Sequence, residues 1–369
     1  MNILELCLSP SLGGLELYMY RAVKNLSGAD NVISILCSDG RLKPYFERDD
    51  LEYVTEKSHF PPFPVLTAKR IAALIDARDI DVLHTHWGKD FPLAALAKKF
   101  SRRKPKLVYT RQMKMTRNKD DFYHRFLYRQ MDMMLCITDQ LAEEARQYLN
   151  AENTQKIQRL YYGVDTPSCV LSREERQDLR QTWEVDKGTF LVGLFGRIEE
   201  NKRQRLLVEV IARAKKNNTA MKGLIVGRAM SLSDLNQLKS LVERQGLKQD
   251  IIFQDFVERP QDWMQACDCV ILATAEETFG LVLIEAMRAG VAVAGTNRGG
   301  VPEIVDHAKT GLLFEPDDIT GLYESLLLLK NDAPFREKLA AAGRKKADQL
   351  FDTDLHFREL RRLMKEGWV

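Results

Sequence analysis

Two glutamates in one short segment are the first residues whose types and spacing could do chemistry. Glu277 and Glu285 lie in the segment 273–287, which reads as strand, loop and helix. Glu277 falls in the loop and Glu285 about a turn and a half inside the helix, so both can face one ligand at the carboxyl end of the strand. Carboxylates accept hydrogen bonds from sugar and ribose hydroxyls. The first N–H groups of the helix, near Gly280, favour a phosphate.

Two cations lie in a comparable position earlier in the chain. Arg197 and Lys202 follow an apolar strand pattern and precede a helix, where two positive charges could clamp a diphosphate. The segment lacks the Gly-Lys-Ser/Thr ending of a Walker loop. Each segment alone has other interpretations. The glutamates could be the acid and nucleophile of a glycosidase or part of a solvated helix, and the cations could lie in a plain surface loop.

Composition restricts the class of protein. The chain has 369 residues, of which 45% are hydrophobic and 29% charged, with a formal net charge of +3. This profile is typical of a globular protein with two domains and gives no support for nucleic acid as a partner.

None of the six cysteines is paired at zinc-ligand spacing, so we predict no metal. The N-terminus does not read as a signal peptide and no apolar run is long enough to span a membrane, so we expect a cytoplasmic protein.

One segment is strongly basic. Residues 98–125 contain eleven Lys or Arg against two acids. A solvated loop and helix face is one interpretation, and attraction to anionic lipid or to a phosphorylated acceptor is the other. Aromatic residues are too few here for a base-stacking surface. The candidate residues for an acceptor or an anionic membrane surface are Arg102, Arg103, Arg111 and Lys114.

Short apolar runs alternate with helical patterns, and this alternation occurs twice. It predicts two Rossmann-like α/β halves with parallel sheets that face a cleft, with ligands outside the carboxyl ends of the strands. A Gly- and Pro-containing loop places the domain boundary at about residue 165. The predicted domains are 1–165, 166–345 and a C-terminal helical segment, 346–369. The predicted strands are 3–8, 32–37, 82–84, 107–109, 134–137, 191–195, 223–226, 251–253, 269–272 and 292–294. The segment 310–314 suggests a tight turn into a further short strand.

Taken together, the motifs resemble those of the retaining GT-B enzymes of the glycosyltransferase family 4 type. They are Gly-Arg at 196–197 with the later Lys202, Glu-Thr-Phe-Gly…Glu-Ala at 277–286, Gly-Gly-Val-Pro-Glu-Ile-Val at 299–305 and Thr-Gly-Leu-Leu at 310–313. The amino half agrees more loosely, through segments at 13–16, 81–86 and 162–165.

The resemblance implies an activity and its partners. It implies a metal-independent hexosyltransferase that retains anomeric configuration and uses a UDP- or GDP-sugar as co-substrate, without a cofactor. The amino domain would bind the acceptor and the carboxyl domain the donor, with the C-terminal helix packing back on the amino domain. The implied acceptor is a cell-surface glycan or lipid-linked molecule, such as lipopolysaccharide or capsule, reached from the inner face of the cytoplasmic membrane.

The resemblance also implies roles for residues of the carboxyl half. Arg197 and Lys202 would neutralise the donor diphosphate, and Glu285 would hold the ribose hydroxyls. Glu277 would contact the donor sugar. The backbone N–H groups of Phe279, Gly280 and Leu281 would assist Glu277.

In the amino half, Gly13 and Gly14 would let the first loop approach the donor or acceptor closely, because glycine has no side chain to obstruct it. His86 would lie at the cleft wall, although a structural histidine satisfied by backbone is an equal alternative. Arg111 stands where many relatives carry a histidine that touches the donor sugar. It could meet an anionic sugar or acceptor, or belong to the basic segment.

Two other functions fit the same scaffold. One is a sugar-nucleotide epimerase, which would turn over without an acceptor, and the other is a non-catalytic nucleotide-sugar-binding subunit. A dehydrogenase is disfavoured because the first loop, at 11–16, has no Gly-x-Gly-x-x-Gly fingerprint.

Overall fold

A computed structural model describes residues 1–58 and 64–366 and divides the chain into two compact units. The N-terminal unit comprises Met1–Tyr162 and Asp354–Val369, and the C-terminal unit comprises Gly163–Thr353. Each unit is built on one parallel sheet with intervening helices. The prediction of two Rossmann-like domains is confirmed.

The N-terminal unit contains a seven-stranded parallel sheet in the order β3-β2-β1-β4-β5-β6-β7. Its strands are β1 (Asn2–Cys7), β2 (Asn31–Cys37), β3 (Tyr53–Glu56), β4 (Val82–Thr85), β5 (Lys106–Arg111), β6 (Met133–Cys136) and β7 (Ile157–Arg159). Its helices are α1 (Gly14–Leu26), α2 (Lys43–Arg48), α3 (Val65–Ala77), α4 (Phe91–Phe100), α5 (Phe122–Tyr128), α6 (Asp139–Tyr148), α7 (Ala151–Thr154) and the C-terminal α16 (Thr353–Glu366).

The central strands of this sheet are buried on both faces, which explains why they read as apolar runs. Two of the buried polar residues of this unit form a pair across neighbouring strands. Glu5 of β1 lies directly opposite His84 of β4 in the parallel register, and both side chains are fully buried.

Helix α16 belongs to the N-terminal unit, as predicted. The Arg361 guanidinium lies 2.6 Å from the Asp30 carboxylate, and the Lys106 ammonium donates to the carbonyl oxygen of Met364 at 2.8 Å. Phe357 and Leu360 of this helix are buried. Burial of this apolar face, rather than the Arg361–Asp30 ion pair, whose arginine is partly exposed, is the main source of its attachment.

The C-terminal unit contains a six-stranded parallel sheet in the order β10-β9-β8-β11-β12-β13. Its strands are β8 (Phe190–Phe195), β9 (Met221–Val226), β10 (Ile251–Gln254), β11 (Cys269–Leu272), β12 (Ala292–Thr296) and β13 (Leu312–Phe314). Its helices are α8 (Arg173–Thr182), α9 (Gln204–Lys216), α10 (Leu232–Arg244), α11 (Pro260–Met264), α12 (Leu281–Arg288), α13 (Val301–Ile304), α14 (Ile319–Asn331) and α15 (Ala333–Leu350).

The strand order of the C-terminal unit reverses between β8 and β11, which are hydrogen-bonded neighbours. At such a switch point the loops that follow the two strands diverge to opposite faces and leave a crevice at the carboxyl edge. The loops after β8 and β11 are those that carry the predicted cations and the predicted loop glutamate. None of the helices within the described ranges is long and apolar enough to cross a membrane.

Candidate donor and acceptor sites

The structure brings two of the predicted donor-site residues into direct contact. The Lys202 ammonium lies 2.8 Å from a carboxylate oxygen of Glu277, and the two side chains are 23% and 20% exposed. Lys202 follows β8 and Glu277 follows β11, so adjacent strands position them. The ion pair is therefore partly shielded from water but still accessible to a ligand.

Arg197 lies on the same loop as Lys202. Its side chain is 52% exposed, and its guanidinium lies 3.2 Å from the Glu199 carboxylate. The buried side chain of Gln204, the first residue of α9, donates to the carbonyl oxygen of Arg197 at 2.7 Å. This bond fixes the loop backbone at Arg197 while its charged group stays at the surface.

The backbone of Glu277 is held by a loop that sequence reasoning did not connect to it. The N–H of Gly300 donates to the carbonyl oxygen of Glu277 at 2.9 Å. Gly299 has a φ of +63°, and a Cβ at this position would lie 2.0 Å from the same oxygen. The Gly-Gly motif was visible in the sequence, but its contact with Glu277 depends on tertiary structure.

Helix α12 presents its N-terminus beside this ion pair. It begins after Gly280, whose φ is +102°, and no side chain among the described residues caps it. The Phe279 side chain is buried, so only its backbone can face a ligand. Glu285 lies in the second turn and is half-buried. An uncapped N-terminus near the Lys202–Glu277 ion pair offers N–H groups that are suited to a diphosphate.

In the N-terminal unit His86 is part of a buried hydrogen-bonded cluster. Its Nε2 atom lies 2.6 Å from one oxygen of Glu5, and Nδ1 of His84 lies 3.0 Å from the Glu5 carboxylate. Nε2 of His84 in turn contacts the Thr110 hydroxyl at 2.7 Å. The partner of His86 is thus a carboxylate, not backbone. The side chains of Glu5, His84 and His86 lie close enough together that they could also hold a metal ion.

Glu5 determines which nitrogen of His86 carries the proton. Burial raises the pKa of Glu5, but charge and hydrogen bonds from His84 and His86 outweigh it and lower the pKa to about 2. Burial, with the charge of His84, lowers the pKa of His86 to about 4. A carboxylate can only accept, so neutral His86 donates from Nε2. Nδ1 keeps its lone pair and has no partner within the described part of the chain.

His86 also lines a pocket of about 720 Å³ in the N-terminal unit. Arg111 and Lys114 line it as well, so the structure brings these two predicted acceptor residues together with His86. Arg102 and Arg103 do not line it. They lie beside the acids of another surface, with Arg103 at 2.9 Å from Asp79 and 3.0 Å from Asp81, and Arg102 at 3.5 Å from Asp76.

The first loop contributes Gly13 and Gly14 at the start of α1. Gly13 is the N-cap residue, and its φ of −161° is ordinary extended backbone. A Cβ there would make only an ordinary contact, 3.4 Å from the Glu16 carboxylate. Neither conformation nor packing within the unit therefore requires glycine at position 13.

Acidification will destabilise the N-terminal unit between pH 6.5 and pH 4. Burial lowers the pKa of His356 to about 4, as it does that of His86. The unfolded chain takes up protons on these imidazoles below pH 6.5 whereas the folded chain does not. Stability that is present above pH 6.5 is therefore lost as the pH falls, by up to about 1.4 kcal/mol per pH unit for each imidazole. Burial raises the pKa of Asp90 to about 7, so this carboxyl takes up a proton in the folded chain and offsets the contribution of one imidazole. Below pH 4.5, Glu5 takes up a proton in the unfolded chain but not in the folded one, because its folded pKa is about 2, and the loss continues.

Urea unfolding followed by circular dichroism at pH 7.5, 6 and 5 measures this slope. His356→Asn should make the slope shallower, whereas substitution of His307, which is exposed in the C-terminal unit, should leave it unchanged. Equal slopes for wild type and His356→Asn would contradict the assignment.

Two family models together match most of the chain. Residues 12–167 match the model described as Glycosyltransferase Family 4, and residues 175–346 match Glycosyl transferases group 1. The chain belongs to the family 4 glycosyltransferases, which have the GT-B fold and typically retain anomeric configuration.

Individual relatives are distant. The N-acetyl-alpha-D-glucosaminyl L-malate synthase of Bacillus anthracis is 23% identical over 94% of this chain and 92% of that protein. The lipopolysaccharide core biosynthesis mannosyltransferase LpsB of Rhizobium meliloti is 26% identical over 73% of each chain. The crystal structure of Anabaena Alr3699/HepE in complex with UDP has a TM-score of 0.86 at 21% identity and covers 99% of both chains.

Proposed function

We propose that this glycosyltransferase moves a hexose from a UDP- or GDP-sugar to a cell-surface glycan or lipid-linked acceptor, with retention and without a metal. The observation that carries the proposal is the contact between Lys202 and Glu277 beside the uncapped N-terminus of α12. UDP is the favoured nucleotide because the similar HepE structure contains UDP. The lipopolysaccharide-core role named for LpsB supports the acceptor class, which would be reached from the cytoplasmic side.

In this proposal each donor-site residue has a distinct task. Arg197 and Lys202 neutralise the diphosphate, and Glu285 accepts from the ribose hydroxyls. Glu277 accepts from the donor sugar. The Lys202 ammonium has three hydrogen-bond donors, so it can remain paired with Glu277 and still donate to a phosphate oxygen. It thereby offsets the repulsion between that carboxylate and the diphosphate.

The reaction breaks the bond between the anomeric carbon and the phosphate oxygen, and the electron pair stays with the leaving diphosphate. The acceptor oxygen forms the new bond on the same face, and its proton passes to the leaving phosphate oxygen. Arg197, Lys202 and the first N–H groups of α12 stabilise the charge that develops on the diphosphate. No protein nucleophile is required. On the acceptor side, we propose that His86 forms part of the wall of the acceptor site and that Gly13 and Gly14 allow close approach.

Thermal unfolding with UDP, GDP, ADP and CMP and their common sugars, without added metal, tests this function. We expect one diphosphate series to raise Tm by about 5–10 °C at 100 times its Kd. Glu285→Ala should abolish most of the increase, whereas Glu243→Ala, which removes an exposed partner of Lys248 in the same unit, should not. No increase with any nucleotide would refute the proposal.

A donor-only incubation separates transfer from epimerisation. A transferase leaves the sugar configuration of the donor unchanged until an acceptor is supplied. Epimerised donor in the absence of any acceptor would instead favour the epimerase.

A further inference from the structure

The pocket in the N-terminal unit is strongly cationic. Lys89, Arg111, Lys114, Arg117 and Lys119 all line it, and none of the described residues that line it is acidic. Of these cations, Lys114 lies 3.8 Å from the Glu144 carboxylate outside the lining. Its volume of about 720 Å³ lies within the range of small-ligand sites.

Arg111 is the central cation of this pocket. It is only 8% exposed, and a guanidinium stays protonated in proteins. Its Nη1 atom donates to the Tyr109 hydroxyl at 3.1 Å and its Nη2 atom to the Lys114 carbonyl at 2.7 Å. Nε is buried without a partner, and no carboxylate among the described residues lies within ion-pair distance. The guanidinium is thus desolvated and lacks a counter-charge from the unit, which is unfavourable until an anion is supplied.

Other groups around Arg111 also carry positive charge or an unused hydrogen-bond donor. Burial, followed by the charges of Arg117 and Arg111, lowers the pKa of Lys119. These cations therefore repel one another in the empty pocket. The Lys119 ammonium lies 3.1 Å from Nε2 of His124, and the neighbouring acid, Asp121, is already paired with that imidazole. The side-chain amide nitrogen of Gln112 is a further buried donor without a partner in the described structure.

We infer that this pocket binds an oxyanion, a phosphate or a carboxylate, carried by the acceptor close to the hydroxyl that receives the sugar. Arg111 and Lys119 hold the oxyanion, and the buried His86 lies in the wall of the same pocket. The acceptor class is therefore an anionic sugar or polyol rather than a neutral one. This inference rests on the proposed transferase function, but binding of the anion can be measured without the donor.

Glucose 6-phosphate, glucuronate and glucose form a matched set of probes, with a phosphate, a carboxylate or no charge. Titration calorimetry with the full chain should detect binding of at least one anionic probe, with glucose weaker by about tenfold or more. Arg111→Gln and Lys119→Gln should each raise the Kd by about tenfold or more. Arg129→Gln, which removes an exposed cation of the same unit outside the pocket, should change the Kd less than twofold. Because Arg111 is buried, Lys119→Gln keeps the test valid if Arg111→Gln does not fold.

The relative affinities of the two anions identify the group, and either preference supports the inference. Equal binding of glucose, or no binding of either anion, would overturn it. So would anion binding that Lys202→Met abolishes and Arg111→Gln leaves intact, because the anion would then occupy the donor diphosphate site. Titration of the same proteins with UDP reports separately on the proposed function. Anion binding without nucleotide binding would refute the proposed transferase function but would still support an anion site in this pocket.

Discussion

Lys202→Met will lower kcat for sugar transfer by about 10²–10³-fold while the protein remains folded. Methionine keeps most of the aliphatic side chain and removes the ammonium that lies 2.8 Å from Glu277. The charge on the diphosphate is largest in the transition state, so the loss should fall mainly on kcat rather than on KM. The measurement is release of nucleoside diphosphate with the donor found by thermal unfolding.

Lys215→Met is the matched control, because Lys215 pairs with Asp250 on the exposed surface of the same unit. The double variant Lys202→Met/Glu277→Gln distinguishes two causes of the loss. Because Glu277 is also proposed to contact the donor sugar, the reference is Glu277→Gln alone. A smaller effect of Lys202→Met in that background would mean that unpaired Glu277 repels the diphosphate, whereas an equal effect means that the ammonium itself stabilises the leaving group. An unchanged kcat in Lys202→Met would remove Lys202 from the mechanism.

Gly299→Ala will destabilise the C-terminal unit by about 2–5 kcal/mol. The new Cβ would lie 2.0 Å from the carbonyl oxygen of Glu277, so one of the two loops must move. The left-handed φ of +63° adds strain. Because the displaced loop carries Glu277, donor binding should weaken even at temperatures where the variant is still folded.

Gly246→Ala provides a close control. Its φ is +65°, and a Cβ there would meet nothing within 4 Å. It reproduces the backbone strain without the clash and should cost about 1–2 kcal/mol. Urea unfolding of both variants, with nucleotide titration beside it, measures the difference. Equal losses of stability would show that the contact between Gly299 and Glu277 contributes nothing.

The fully buried strands were predictable because each reads as a continuous apolar run. The run 3–8 corresponds to β1 and 191–195 to β8. The strands that the pattern missed, β3 and β7, are the two edges of the N-terminal sheet. An edge strand has a neighbour on one side only and can be short, so its residues need not form an apolar run.

For the candidate sites, the positions of single residues were predictable but their contacts were not. Loop positions at strand ends were predictable, since adjacent parallel strands end at one edge. The contact between Lys202 and Glu277 was not, because it depends on β8 and β11 being neighbours, although 75 residues separate the two side chains. The Glu5–His86 contact was hidden for a similar reason, since Glu5 sits inside an apolar strand with no local sign of its partner.

The attachment of α16 to the N-terminal unit has a consequence for synthesis on the ribosome. The first 162 residues of this unit emerge early, but its last helix follows the whole of Gly163–Thr353. At about 5–20 residues per second, the delay is about 10–40 s. Throughout that interval the surface that later covers Phe357, Leu360, Leu363 and Met364 faces water. The nascent N-terminal unit therefore offers an apolar surface to chaperones until α16 has been synthesised.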